Sequence, residues 1–163
     1  MKIEIKQVEV LPKAISELAK QSDKEGFSFV HRLIEEFENG VNRFDQAGEF
    51  FLLAYDGEKL IACGGLNQQR SEDENQSKIG RVRRFYVLPK YRQHGVGKML
   101  LQYLEKKAIQ NFSALCLQTD TKSASNFYQK MNYVYVQNHS NYNYFLCTRQ
   151  ISQNPYPIRI LPS

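Results

Sequence analysis

The segment between residues 80 and 110 constrains the fold of this chain more than any other part of the sequence. Alternating apolar residues predict a strand over residues 80–88, and Pro89 ends it. After a short basic turn, Gly95 and Gly97 open a helix that is predicted to run to Gln110. One face of this helix is apolar, with Val96, Met99, Leu100, Tyr103, Leu104 and Ala108. This strand, turn and amphipathic helix form the clearest structural unit in the sequence.

Strands and helices interleave along the rest of the sequence. Further strands are predicted at residues 3–8, 49–55, 59–66, 114–118, 134–136 and 144–147, and further helices at 11–20, 27–37 and 123–131. Asp56-Gly57 is a hairpin signal, Gly64-Gly65 indicates a bulge or the exit from the strand, and Gly40 is expected to close the second helix. The pattern predicts an α/β fold of the α+β type, a mixed sheet with helices on both faces. We expect a single domain over residues 1–163, with a core over 1–148 and a tail or edge strand over 149–163.

The composition narrows the classes of partner. The formal net charge of +5 suits either a nucleic acid or a small charged ligand, and the basic cluster between Arg81 and Lys98 favours the small ligand. The three cysteines are far apart, and no Cys or His spacing indicates a metal site. The first residues lack a signal-peptide pattern, and no apolar run reaches membrane-spanning length. We expect a cytoplasmic monomer or homodimer that binds no nucleic acid, membrane or metal.

The turn before the long helix has the properties of an anion site. The first turn of a helix has unpaired N–H groups, and glycines let an anion approach the backbone closely. Arg92, His94 and Lys98 place positive charge around it. A P-loop would need a glycine at Arg92 and Ser or Thr at Met99, and a Rossmann fingerprint would need a glycine at Leu100. Glycines that serve only helix packing remain an alternative.

Two segments resemble signatures of the GCN5-related N-acetyltransferase superfamily. Residues 92–97 (RQHGVG), preceded by residues 85–89 (FYVLP), match its turn of Gln or Arg, two residues, Gly, one residue, and Gly or Ala. Residues 126–133 (NFYQKMNY) resemble its Phe-Tyr-Glu-Lys-Leu-Gly-Phe helix, with Asn132 in place of the glycine. Asparagine is the next best residue in a left-handed helix terminus, so this departure is conservative. The resemblance covers about residues 1–148.

The resemblance implies a mostly antiparallel sheet splayed in a V between the strands at 80–88 and 114–118. Acetyl-CoA would lie in this gap and donate its acetyl group by direct attack of a primary amine. Val87 would supply a backbone N–H to the oxyanion, and Tyr128 would act as the general acid. The implied cofactor-binding residues are Phe85, Tyr86, Val87, Arg92, Gln93, His94, Gly95, Val96, Gly97, Lys98, Asn126 and Tyr128.

The general base and the acceptor are less constrained. Members of the family often have a glutamate on the strand where this sequence has Arg81, Arg83 and Arg84. The remaining candidates for the base are Glu72, Asp73, Glu74, Asp120 and His31, and a water relay without a dedicated base is the leading option. His31 and Arg83 are candidate substrate-binding residues, and the arginines suggest a small-molecule or peptide amine with a carboxylate or phosphate. The alternative hypothesis is a non-catalytic acyl-CoA-binding or regulatory module.

Overall fold

The structure is a computed structural model that describes residues 1–70 and 78–152. Its strands are β1 (Ile3–Val8), β2 (Phe50–Asp56), β3 (Lys59–Gln69), β4 (Ile79–Val87), β5 (Ala114–Leu117), β6 (Val134–Tyr135) and β7 (Tyr144–Cys147). Its α-helices are α1 (Ile15–Lys24), α2 (Phe29–Asn39), α3 (Val96–Ala108), α4 (Lys122–Lys130) and α5 (Arg149–Ser152), and a 3-10 turn covers Pro89–Tyr91. Within these residues the elements interleave as the sequence predicts.

The strands form one sheet in the order β1-β2-β3-β4-β5-β7-β6. Every neighbouring pair is antiparallel except β4 and β5, which are parallel. These two strands pair only at Ile79–Ala114, Gly80–Leu115 and Arg81–Cys116. Beyond Arg81 they separate, and the rest of β4 borders an open gap. This arrangement confirms the mixed, mostly antiparallel, open sheet.

Helices cover both faces of the sheet. Residues 50–54 of β2 are all apolar and buried, so both faces of this part of the strand are covered. Phe51 and Leu53 pack with α1 and α2 on one face, called the α2 face here. Leu52 and Ala54 pack with α3 and α4 on the other, called the α3 face. The sheet therefore separates two cores.

A bulge interrupts β4 beside the gap. Cys63 pairs with Tyr86 and Gly65 with Arg83, so two residues of β4, Arg84 and Phe85, stand opposite Gly64. Arg84 has a left-handed φ of 55°. A side chain on Gly64 would place its Cβ only 2.6 Å from the Phe85 ring, which explains the glycine. The glycine pair thus marks a bulge, as predicted, although the extra residue belongs to the partner strand.

The bulge also decides which side chains reach which face. Arg83 and Arg84 both lie on the α2 face, where Arg84 pairs with Glu36 of α2. Phe85 then packs into the core of the α3 face, and Tyr86 into that of the α2 face. The extra residue thus puts Phe85 and Tyr86 on the opposite faces from those that regular alternation would give.

Several element boundaries differ from the sequence prediction. Helix α1 begins at Ile15 rather than Leu11. The Ile15 amide donates a hydrogen bond to the Pro12 carbonyl at 3.1 Å, which closes a turn, and the helix begins after this turn. Gly40 ends α2 with φ 80°, as predicted. Residues 149–152 form helix α5 instead of an edge strand, and residues 153–163 lie outside the described part of the chain.

Candidate functional site

The turn before α3 presents unpaired backbone amides. Gln93 and Gly95 have left-handed φ values of 64° and 81°, which bend the chain sharply between the 3-10 turn and the helix. The first bond of the helix runs from the Met99 amide to the Gly95 carbonyl, at 3.0 Å. The three preceding amides, at residues 96–98, lie in the first turn, and no side chain caps it. Together with the helix dipole, these donors favour a bound anion.

The amide of Val87 points into the gap between β4 and β5. The Leu88 amide bonds to Ile61 of β3 at 2.9 Å, and groups along an antiparallel strand alternate in direction. Val87 therefore turns its N–H and C=O away from β3. Its carbonyl accepts a bond from Arg92 Nε at 2.9 Å on that side. The predicted oxyanion donor thus faces the open edge of the sheet.

Tyr128 lies beside this gap in an aromatic cluster. Its ring lies 6.2 Å from that of Phe85, 5.1 Å from Phe127 and 5.5 Å from Tyr133. Burial, with a further contribution from Glu105, raises the pKa of the Tyr128 hydroxyl, so that it keeps its proton at neutral pH. A protonated phenol is the form that a general acid needs.

Gly97 brings the two halves of the site together. A Cβ at this position would lie 3.5 Å from the Phe127 ring and 3.7 Å from Val87 Cγ2. The start of α3, the end of β4 and the middle of α4 therefore meet at one place. The sequence prediction assigned residues from all three segments to one site.

The end of α4 explains the departure at Asn132. Asn132 has a φ of 73°, and the Tyr133 amide bonds to the Tyr128 carbonyl at 3.0 Å. The prediction of a left-handed residue here is confirmed. The turn directs the Tyr133 ring back into the core beside Tyr128.

Arg92 makes contacts that the sequence did not reveal. Its guanidinium donates to both carboxylate oxygens of Glu25, at 2.6 and 3.1 Å, and lies 5.4 Å from the centre of the Tyr86 ring. Glu25 also accepts a bond from the Tyr86 hydroxyl at 2.5 Å. Burial opposes ionisation of Glu25, but the bonds from Arg92 and Tyr86 outweigh it and lower its pKa. The arrangement fixes the Val87 carbonyl, and pyrophosphate binding by the Arg92 side chain stays a prediction.

The other predicted cofactor-binding side chains are more accessible. Gln93, His94, Lys98 and Asn126 are exposed, and the first three surround the start of α3. Their proposed contacts with the cofactor stay predictions.

The two candidate bases that the structure describes, His31 and Asp120, lie at the surface. His31 is half-exposed on α2 and pairs with Asp23 of α1. Asp120 is exposed after β5 and accepts a bond from Gln118 at 3.2 Å. The acidic residues at 72–74 lie outside the described residues. The base stays unassigned.

Two of the arginines of β4 have partners among the described residues. Arg84 pairs with Glu36 at 2.6 Å. Arg81 donates to the Gln69 side chain at 3.2 Å and to the Asn141 carbonyl at 2.5 Å.

Two of the cysteines lie on β3 and β5, the strands on either side of β4. Burial raises the pKa of Cys63 and of Cys116 to about 12, so both remain thiols at neutral pH. Because the thiolate is the nucleophilic form, neither residue suits an acyl-cysteine intermediate.

Within the described ranges, no group of three or more His, Cys, Asp or Glu side chains has the arrangement of a metal site. In the same part of the chain, no helix combines the length and apolar character that a membrane crossing requires.

The fold resembles that of several solved structures. A candidate acetyltransferase from Exiguobacterium sp. 255-15 superposes with a TM-score of 0.79 and 26% identity, covering 96% of this chain and 100% of that one. The Bacillus subtilis N-acetyltransferase YlbP in complex with coenzyme A gives 0.63 and 20%, covering 89% and 96%. The mutant toxin AtaT, bound to the antitoxin AtaR C-terminus and acetyl-CoA, gives 0.69 and 10%, covering 93% and 97%. Among curated proteins, no sequence matches.

A family comparison agrees with this geometry. The profile of the acetyltransferase (GNAT) family matches residues 13–133, which include the turn before α3, the gap beside β4 and the helix with Tyr128. Because the match spans most of the chain, the protein belongs to the GNAT acetyltransferase family.

Proposed function

We propose that this protein moves an acetyl group from acetyl-CoA to a primary amine by direct attack. The observation that carries the proposal is the uncapped start of α3, which meets the open edge of β4 at Gly97. An anion site at the mouth of an open gap suits a ligand with a pyrophosphate at one end and a reactive thioester at the other. The relatives solved with coenzyme A or acetyl-CoA support this choice of donor.

The backbone does most of the donor binding in this proposal. The free amides at residues 96–98 bind the pyrophosphate, and the exposed side chains of His94 and Lys98 add positive charge. The pantetheine arm then runs along the unpaired part of β4, where Val87 offers its N–H group. The Phe127 ring forms the apolar wall opposite Val87.

The same residues account for the chemical steps. The neutral amine attacks the thioester carbon, and the oxyanion that forms accepts a hydrogen bond from the Val87 amide. The carbon–sulfur bond then breaks, and Tyr128 gives its proton to the departing thiolate sulfur. The proton released by the amine passes to water, and water returns a proton to the Tyr128 phenolate. The products are the acetylated amine and free coenzyme A.

A pair of hydroxyl deletions tests the acid. We expect Tyr128→Phe to lower kcat at least tenfold with little change in coenzyme A affinity, because only the proton donor is lost. Tyr133→Phe is the matched control, since its buried hydroxyl has no hydrogen-bond partner in the described structure and its ring touches that of Tyr128. Thiol release under saturating acetyl-CoA gives kcat. Equal turnover of Tyr128→Phe and the wild type would remove Tyr128 as the acid.

A non-catalytic acyl-CoA-binding or regulatory module is the second candidate. It is favoured by the arginines on β4 at the place where the family often has a glutamate. A panel of primary amines with saturating acetyl-CoA separates the two functions. Coenzyme A binding without any amine-dependent thiol release would support the module. The cytoplasmic location and the nature of the acceptor stay predictions.

A further inference from the structure

Arg83 is the member of the arginine cluster on β4 that has no partner among the described residues. Arg81 and Arg84 are both engaged, by Gln69 and Asn141 and by Glu36. Among residues 1–70 and 78–152, no group forms a hydrogen bond or an ion pair with Arg83. Its side chain is nevertheless about half-buried on the α2 face. A partly desolvated guanidinium without a partner is unusual, because burial of a charge is costly unless the charge is paired.

The two described acidic groups that act on Arg83, Glu36 and Glu49, are occupied elsewhere. Glu36 pairs with Arg84, and Glu49 accepts bonds from the backbone amides of Gln46 and Gln68, at 3.1 and 2.8 Å. Among the described residues, the surroundings of Arg83 therefore carry excess positive charge. Burial, followed by Arg84 and Arg81, lowers the pKa of Arg83, whereas Glu36 opposes this change. An anion bound here would relieve the repulsion.

Arg83 lies on the side from which the acceptor has to approach. The proposed donor enters from the α3 face, where α3 begins, so the amine has to approach the thioester from the side of the α2 face. Arg83 and Val87 are four residues apart on one strand, so their Cα atoms are separated by no more than roughly 13 Å. Because the arginine side chain is long, a small molecule can span the distance between its guanidinium group and the reacting thioester beside Val87.

We propose that Arg83 binds an oxyanion of the acceptor, so that the acceptor is an amine that also carries a carboxylate or a phosphate. This inference rests on the proposed acetyl transfer and specifies its substrate class. The planar fork of a guanidinium matches both groups with two parallel hydrogen bonds. The bulge at Arg84 is what leaves Arg83 free for this task, because the extra residue takes the ion pair with Glu36.

Matched amines test the substrate class. Straight-chain ω-amino acids from glycine to 6-aminohexanoate are compared with alkylamines of equal length, and phosphoethanolamine with ethanolamine. The amino acids and phosphoethanolamine are called anionic amines here, and the compounds that lack the carboxylate or phosphate are called uncharged amines. At saturating acetyl-CoA, we expect the best anionic amine to exceed its uncharged counterpart in kcat/KM by roughly ten- to hundredfold. The two series separate carboxylate from phosphate. Uncharged amines that react as well as, or better than, their anionic counterparts would overturn the inference.

Variants of Arg83 test the residue itself. Arg83→Gln should raise KM for the anionic amine by roughly tenfold or more and leave KM for acetyl-CoA unchanged. Arg83→Glu should shift the preference to diamines. Lys107→Gln, which removes one positive charge from α3, should keep the wild-type preference. An unchanged preference in Arg83→Gln would contradict the assignment.

The outcomes distinguish this inference from the proposed function. Transfer to uncharged amines alone would overturn the inference and leave the acetyltransferase proposal intact. If no amine reacts, the acetyltransferase proposal fails, and the binding of the amines themselves then tests the role of Arg83. Calorimetric titration of 6-aminohexanoate and hexylamine in the presence of coenzyme A provides that readout. Preferential binding of the amino acid that is lost in Arg83→Gln supports the site, and equal binding of both ligands refutes it.

Discussion

Replacing Glu105 by glutamine should stabilise the protein, by an amount that grows with pH. Glu105 lies on the buried side of α3 and is only 5% exposed. Burial raises the pKa of its carboxyl from 4.5 to about 8. The folded state therefore holds the proton more tightly than the unfolded chain. The stability that depends on this proton is complete below pH 4.5 and is lost as the pH rises towards 8.

The size of the effect follows from these two values. At 1.36 kcal/mol per pH unit, the interval from 4.5 to about 8 corresponds to roughly 5 kcal/mol of unfolding free energy. Glutamine has the shape of the protonated acid and does not ionise. We therefore expect the free-energy advantage of Glu105→Gln over the wild type to be close to zero at pH 4, about 3 kcal/mol at pH 7 and roughly 5 kcal/mol at pH 9.

Urea denaturation of both proteins between pH 4 and pH 9 measures this difference. Glu38→Gln on α2 is the matched control, because Glu38 is exposed and should change stability by less than about 0.5 kcal/mol at any pH. A difference between Glu105→Gln and wild type that stays constant across this range would refute the reasoning, since it would mean that the carboxyl ionises equally easily in both states.

Two further substitutions address the turn and its support. Gly97→Ala should stabilise α3 by up to about 1 kcal/mol, since its Cβ meets only ordinary contacts. In a calorimetric titration the same variant should bind coenzyme A roughly tenfold more weakly, because the Cβ keeps the pyrophosphate from the backbone. Gly57→Ala in the distant hairpin should leave that affinity unchanged, and equal affinity in both variants would contradict the anion site. Glu25→Gln loses its ion pair with Arg92 and should cost about 1–2 kcal/mol at pH 7 in urea denaturation. Because the pKa of Glu25 is lowered, this cost should shrink as the pH falls below 4.5, and a cost that persists there would exclude the ionic origin.

The features that were predictable from the sequence depend on local chemistry. Gly40 and Asn132 take the left-handed conformations that helix ends require, and both were recognised by residue type and position. The apolar face of α3 was likewise visible as a helical period. These signals act over a few residues, so a single sequence contains them.

The features that were missed depend on contacts between distant residues. Glu25 contacts Tyr86 and Arg92 across 61 and 67 positions, and nothing around Glu25 in the sequence marks that role. The bulge was signalled only from the opposite strand, by Gly64. The residue that takes the left-handed conformation is Arg84, a residue type that gives no such signal.

The bulge in β4 makes the length of this strand as important as its composition. Because strand side chains alternate between two faces, removing Arg84 would leave Tyr86 and Val87 on their present faces, whereas inserting one residue after Arg84 would exchange their environments without altering either residue. The phenol would then point at α3, and the valine at Glu25. Substitutions in this segment therefore leave each position on its face, whereas an insertion after the bulge moves every following side chain to the opposite face. A graft of this site into another sheet has to keep the number of residues between the bulge and the turn before α3.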